Sequence, residues 1–78
     1  MKNYIYALFN NLSKRYESVM SFPSDSMAIH RLDKNVDHAE YTLCRIGSIG
    51  IENGEVIAET PVHLIWETTG DLPKSEAE

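Results

Sequence analysis

Tyr41-Thr42-Leu43-Cys44-Arg45-Ile46-Gly47-Ser48-Ile49-Gly50-Ile51-Glu52-Asn53-Gly54-Glu55-Val56-Ile57 is the stretch on which the fold turns. It holds the densest run of β-forming apolar residues, and Asn53-Gly54 is the strongest turn signal in the chain. An Asn-Gly pair suits a two-residue type I′ turn, because both central residues take φ > 0, which Asn tolerates and Gly adopts without steric cost. The stretch therefore predicts a β-hairpin at the centre of the fold. Gly47 and Gly50 interrupt its first strand, and such glycines mark a bulge, a bend or a close backbone approach. They also shift its phase: Leu43 and Ile49 share one parity, Cys44 and Ile46 the other. The returning strand, residues 56–66, places Val56, Ala58, Val62, Leu64 and Trp66 on one face and Ile57, Glu59, His63 and Ile65 on the other. Pro61 has no N–H for a ladder bond, so this strand lies at an edge or is broken there.

Outward from the hairpin, residues 3–9 are rich in aromatic and β-branched types and predict a first strand. Tyr4, Tyr6 and Leu8 fall on one face, with Ile5, Ala7 and Phe9 on the other. Apolar side chains on both faces indicate a central strand, or one with a face covered by a partner. Residues 10–14 form a turn, and a second strand follows over residues 16–20. Phe22-Pro23-Ser24-Asp25-Ser26 is a helix start: Pro23 biases Phe22 to extended geometry, Ser24 caps the first-turn N–H groups and Asp25 complements the positive end of the helix dipole. Ala28, Ile29, Leu32 and Val36 then make one apolar face of a helix over about residues 25–34. The expectation is a small α+β fold: a mainly antiparallel sheet of about four strands in ββαββ order, with one helix packed on one face. Residues 1–67 read as a single α+β domain. Residues 68–78 are short, polar and acidic, and read as a flexible C-terminal tail.

The chain has 78 residues and one cysteine, so neither an intrachain disulfide nor a CxxC metal site is available. A domain this small without such staples often gains apolar burial by oligomerising, which makes a homo-oligomer the expectation. Trp66, on an edge strand, is a core residue or an oligomer contact. No apolar run approaches the roughly 18 residues of a membrane span. The N-terminal segment reads as a strand rather than a signal peptide, and with the free thiol it suggests an intracellular protein. A net charge of −5 counts against bulk electrostatic binding of nucleic acid. The charge is polarised, however. Lys2, Lys14, Arg15, Arg31 and Lys34 outnumber Glu17, Asp25 and Asp33 in the first 34 residues, whereas Arg45 and Lys74 face nine carboxylates in the rest.

Few residues invite chemistry. Cys44 lies in a strand without a neighbouring base and reads as a small core hydrophobe. His30, His38 and His63, with Asp33 and Asp37, lack any recognised ligand spacing, so no metal is expected. Paired catalytic carboxylates and nucleophile elbows are absent, and Gly47-Ser48-Ile49-Gly50 opens no helix and so makes a poor phosphate cradle. A non-enzymatic protein is expected. What remains is an aromatic and basic set in the first 34 residues. Single-stranded nucleic acid is bound by stacking bases on aromatics while cations track the phosphates. The candidate groove comprises Lys14, Arg15, Arg31 and Lys34 with Tyr4, Tyr6 and Tyr16. The alternative is that the tyrosines pack the core and the cations solvate the surface. In that case the chain is a self-assembling or protein-binding module that uses exposed sheet edges and the Trp66 region.

The order of several segments resembles a known family. A strand from Tyr4 leads through a turn to Lys14-Arg15-Tyr16, then Phe22-Pro23-Ser24-Asp25 and Ala28-Ile29-His30-Arg31-Leu32. His38-Ala39-Glu40-Tyr41-Thr42-Leu43, Ile46-Gly47 and Asn53-Gly54-Glu55-Val56 follow. Over about residues 4–57 this resembles the small nonstructural protein of microviruses, especially the gokushovirus branch of single-stranded DNA phages. Leu32 stands where the family usually has an aromatic, and Ala39 where it has a proline. The resemblance implies a viral, nonstructural DNA-binding or replication-control protein of the bacterial host cytoplasm. It further implies a role in the switch to single-strand synthesis and packaging, single-stranded DNA or a viral or host protein as partner, and no cofactor.

Overall fold

The structure is a computed structural model that describes residues 1–66. The expected tail at residues 68–78 and the last domain residue, 67, lie outside the described residues. Four strands and one helix follow in the order β1 (Lys2–Asn10), β2 (Arg15–Phe22), α1 (Asp25–Leu32), β3 (Tyr41–Gly50) and β4 (Val56–Leu64). The strands form one antiparallel sheet in the order β2-β1-β3-β4, so the fold is the expected small α+β arrangement. β1 is central, as its two apolar faces require.

The helix packs on the face built by Tyr4, Tyr6 and Leu8 of β1. Tyr6, Leu8, Ala28 and Leu43 are its buried centre, surrounded by Met20, Phe22, Ile29, Leu32, Val36, Tyr41 and Leu64. Ala28 has no side chain beyond Cβ, which lets the helix backbone approach the sheet closely, and it is fully buried there. Ser24 caps the helix as expected, its hydroxyl accepting the Met27 N–H at 3.2 Å.

Two bulges set the phase of the sheet. In β2 the register shifts opposite Ala7 and Leu8, and Ser18 sits at φ 51°. In β3 the register shifts on both sides around Ile46. Residues 43 and 45 therefore face the helix, whereas 47 and 49 face away. Leu43 and Ile49 thus lie on opposite faces, contrary to the parity expected from their spacing. The same slip passes into β4. Val62 pairs with Arg45 on the helix side and Ala58 pairs with Gly47 on the other, so the expected grouping of Val56, Ala58, Val62 and Leu64 is divided. Gly47 is the close approach that its glycine suggested: a Cβ there would lie 2.5 Å from the Ile57 carbonyl oxygen.

The hairpin turn also differs from the expected two-residue form. Residues 51–55 connect β3 to β4, with the Gly54 N–H donating to the Gly50 carbonyl at 2.8 Å. Only Gly54 takes positive φ, at 72°; the Asn53 side chain instead accepts the Glu55 N–H at 3.0 Å. The side-chain amide thus organises the loop without Asn53 entering the left-handed region.

Candidate nucleic-acid interface

The β1–β2 turn is built by Asn10. Its side-chain oxygen accepts the N–H groups of Leu12 at 2.8 Å and Ser13 at 3.0 Å, and its carbonyl accepts from Lys14 at 2.8 Å. This closes a tight turn in which Lys14 adopts φ 62°. The turn is moored to the loop before β3. Asn11 donates its N–H to the Glu40 carbonyl at 2.6 Å and its side-chain amide to the Ala39 carbonyl at 3.2 Å, while the Thr42 hydroxyl donates to Asn11 at 3.0 Å. Lys14 and Arg15 therefore project into solvent from a well-anchored backbone, and both are exposed.

Tyr16 follows directly, on the face of the sheet away from the helix. It is 52% exposed and packs edge-to-face on Phe9, with ring centroids 4.9 Å apart. By register, this helix-free face is made from Asn3, Ile5, Ala7 and Phe9 of β1, with Tyr16, Val19 and Ser21 of β2 beside them. Thr42, Cys44, Gly47 and Ile49 of β3 and Val56, Ala58 and His63 of β4 complete it. None of these paired positions carries a Lys, Arg, Asp or Glu. Cys44 is buried within this face, and its burial raises the thiol pKa. A thiol held protonated is a poor nucleophile.

The other expected site residues lie elsewhere. Tyr6 is fully buried, and its hydroxyl donates to Asp25 at 2.7 Å. Burial first, and then that hydrogen bond, push its pKa above the ordinary tyrosine value. Tyr6 cannot stack on a base, and its place in the candidate groove is withdrawn. Tyr4 is half-buried on the helix side, with the Lys2 ammonium 5.2 Å and the Arg45 guanidinium 5.4 Å from its ring. Tyr4 and Tyr16 thus occupy opposite faces and do not line one groove. Arg31 and Lys34 are exposed around the end of the helix, whose layer lies across the sheet from Tyr16.

Trp66 is engaged within the chain. Its ring stacks on His38, centroids 4.7 Å apart and planes within 4°, and its indole N–H donates to the Tyr41 carbonyl at 3.2 Å. These are the contacts of the core alternative, and Trp66 is half-buried among the residues packed around the core. His38 itself lies 2.6 Å from the Asp33 carbonyl and 3.5 Å from the Asp33 carboxylate.

Two residues that the sequence did not single out matter most. Phe9, half-buried, completes the aromatic pair with exposed Tyr16. Its place among the outward residues of β1 was the available signal, since Ile5, Ala7 and Phe9 alternate with the core face. Arg45 is the hub of the helix side. It donates to Asp25 at 2.5 Å and Glu59 at 2.7 Å, and the Glu59 bond leads the causes that hold its guanidinium protonated. Nothing local announces that role, because the two carboxylates are 20 and 14 residues away. Among the described residues, no group of three His, Cys, Asp or Glu converges to hold a metal, and no helix is long and apolar enough to cross a membrane.

Fold and site together define a small α+β domain with one helix-covered and one uncharged, partly aromatic sheet face. No protein-family model, curated protein or solved structure matches the chain.

Proposed function

We propose that this is a non-enzymatic accessory protein that binds single-stranded DNA through the helix-free face of its sheet. Lys14 and Arg15, at the β1–β2 turn that ends this face, meet the phosphates, and Tyr16 with Phe9 supplies the stacking platform. The carrying observation is that exposed Tyr16, packed on half-buried Phe9, directly follows the two exposed cations of the β1–β2 turn, at the end of a face whose strand positions hold no carboxylate. A strand of DNA laid there meets no like charge, although the chain as a whole is acidic. Its likeness to the microvirus nonstructural proteins supports the same assignment, with a role in genome replication or packaging control in the cytoplasm of a bacterial host. Arg31 and Lys34 contribute at most through the wider field, since they project from the helix layer.

Fluorescence anisotropy with a labelled single-stranded oligonucleotide tests this. At about 50 mM salt the full chain binds, and affinity falls as salt rises, with a log–log slope near −0.7 per phosphate neutralised. Absence of binding at that salt, or an affinity unchanged by Lys14→Ala/Arg15→Ala, refutes the assignment.

One observation favours a second function. Val19 is 68% exposed and Val56 60% exposed on the same uncharged face, which also suits the apolar surface of a viral or host protein. A partner captured by this face, together with indifference to DNA and to salt, would establish that alternative.

A further inference from the structure

The end of the sheet at which β1 turns into β2 is also where residue 66 is held. Trp66 donates to the Tyr41 carbonyl at 3.2 Å and stacks on His38, which lies 2.6 Å from the Asp33 carbonyl at the end of α1. Tyr41 pairs with Asn10 of β1, and Asn10 pairs with Arg15 of β2. Two strand spacings, about 10 Å, therefore separate the Tyr41 and Arg15 backbones. Lys14 adjoins Arg15 in the turn, and Arg31 and Lys34 lie within two residues of Asp33. All four cations are exposed, and among the described residues none of them forms an ion pair. Elsewhere Arg45 has two carboxylate partners, and Lys2 lies over the Tyr4 ring. The carboxylates at this end are engaged by the fold itself. Glu17 accepts from the Tyr41 hydroxyl, Glu40 from the Asn10 amide and Asp37 from the Ala39 N–H, while Asp33 lies against His38.

We propose that residues 67–78 fold back onto Lys14, Arg15, Arg31 and Lys34 and compete with phosphate for them. The segment carries Glu67, Asp71, Glu76 and Glu78 against Lys74, so its charge is opposite to that of the cluster beside which it begins. The far end of the sheet, with exposed Glu52 and Glu55, repels it. Its length also suits the contact. An unstructured chain of these 12 residues spans roughly 20 Å root-mean-square. The separation to be covered, from residue 66 to the cations, is on the order of 10–15 Å. A tether whose span matches the separation holds its free portion near the site at a millimolar effective concentration. Exposed ion pairs are individually weak and screened by salt, so the contact tunes access to the cations rather than closing it. The contact itself does not depend on what the cations bind; the competition rests on the DNA assignment.

Paramagnetic relaxation measures the contact without DNA. In the full chain, Ser75→Cys takes a nitroxide label, while the buried Cys44 stays out of the reaction. At about 50 mM salt the label should broaden the backbone amides of Lys14, Arg15, Arg31 and Lys34. Asp71→Asn/Glu76→Gln should reduce that broadening at least about twofold, and so should about 0.5 M salt, where charges are screened beyond roughly 4 Å. Broadening indifferent to both changes is proximity imposed by the tether alone and overturns the proposal. In the anisotropy titration, Asp71→Asn/Glu76→Gln should tighten single-stranded DNA binding about threefold at about 50 mM salt. Glu52→Gln/Glu55→Gln, an equal change of charge at the far end of the sheet, should tighten it less. Equal tightening by the two pairs assigns the effect to net charge and overturns the competition. If no form of the chain binds DNA, the DNA assignment fails, and the broadening alone decides whether the contact exists.

Discussion

On the helix side of the sheet, Tyr6, Leu8 and Leu43 are sealed beneath Ala28, and Tyr6, Asp25, Arg45 and Glu59 satisfy one another's polar groups. On the other side, Ala7 and Cys44 are covered only by neighbouring side chains, and Tyr16, Val19 and Val56 stay open. The same strands supply both faces, one residue apart. Length explains much of the difference. An eight-residue helix is about 12 Å long, whereas the strands run about 30 Å. One such helix covers the middle of one face and nothing more. The helix side accordingly holds the fold together, and the exposed face is where a ligand can add burial.

The sharpest way to break this comparison is to delete equivalent apolar bulk from each face. Leu43→Ala should cost about 3 kcal/mol of stability in urea unfolding, because the site is closed and leaves a cavity. Val19→Ala, across the sheet, should change stability by less than about 0.5 kcal/mol. Equal losses would mean that the helix-free face is covered in solution after all.

The faces should also separate by ligand. Tyr16→Ala should weaken single-stranded DNA binding by about 1–3 kcal/mol, the worth of one stacked base. Tyr6→Phe should leave binding unchanged. A reversed ranking in the anisotropy titration would put the site on the helix side.

Alkaline pH probes the two faces through different groups, Tyr6 on the helix side and Cys44 on the other. Tyr6 resists ionisation in the folded state, first through burial and then through its bond to Asp25. Its contribution is therefore complete below the unfolded pKa of about 10 and is lost as pH rises above it. Tyr6→Phe should cost about 1 kcal/mol at neutral pH for the missing hydrogen bond, yet flatten the decline above pH 10. Burial of Cys44 adds a decline beginning nearer pH 9 that Tyr6→Phe does not remove. Unfolding curves in urea across this range distinguish the two.

The smallest expected effect concerns the β2 edge. Ser18 holds φ 51° in the β2 bulge, a region costly for any residue with a Cβ. Ser18→Gly should gain about 0.5 kcal/mol, the relief of that strain less the greater freedom of glycine in the unfolded chain. A loss would show that the Ser18 side chain stabilises the bulge.

The local features of this fold were legible because each rests on neighbours a few residues apart. The alternation Tyr4-Tyr6-Leu8 against Ile5-Ala7-Phe9 identified β1 as central. Pro23-Ser24-Asp25 placed the start of the helix, and Pro61 marked β4 as an edge or broken strand; it is the terminal strand, and its pairing skips residues 59–61. The site was less legible. Tyr4, Tyr6 and Tyr16 look alike in sequence, but one is a clamp residue between two cations, one is core and one is a surface aromatic. Trp66 likewise could not be assigned until its stack on His38 was visible.

Sequence by itself determined the element order, the helix cap, the glycine-marked irregularity at Gly47 and the concentration of cations in the first half of the chain. Tertiary structure alone decided which side chains share a face. A period of two carries no memory across a bulge, so the slip at Ile46 reassigned every residue beyond it and carried the change into β4. It also decided the partners of Arg45, which pairs with Asp25 and Glu59 only because the bulged sheet and the helix start converge on it.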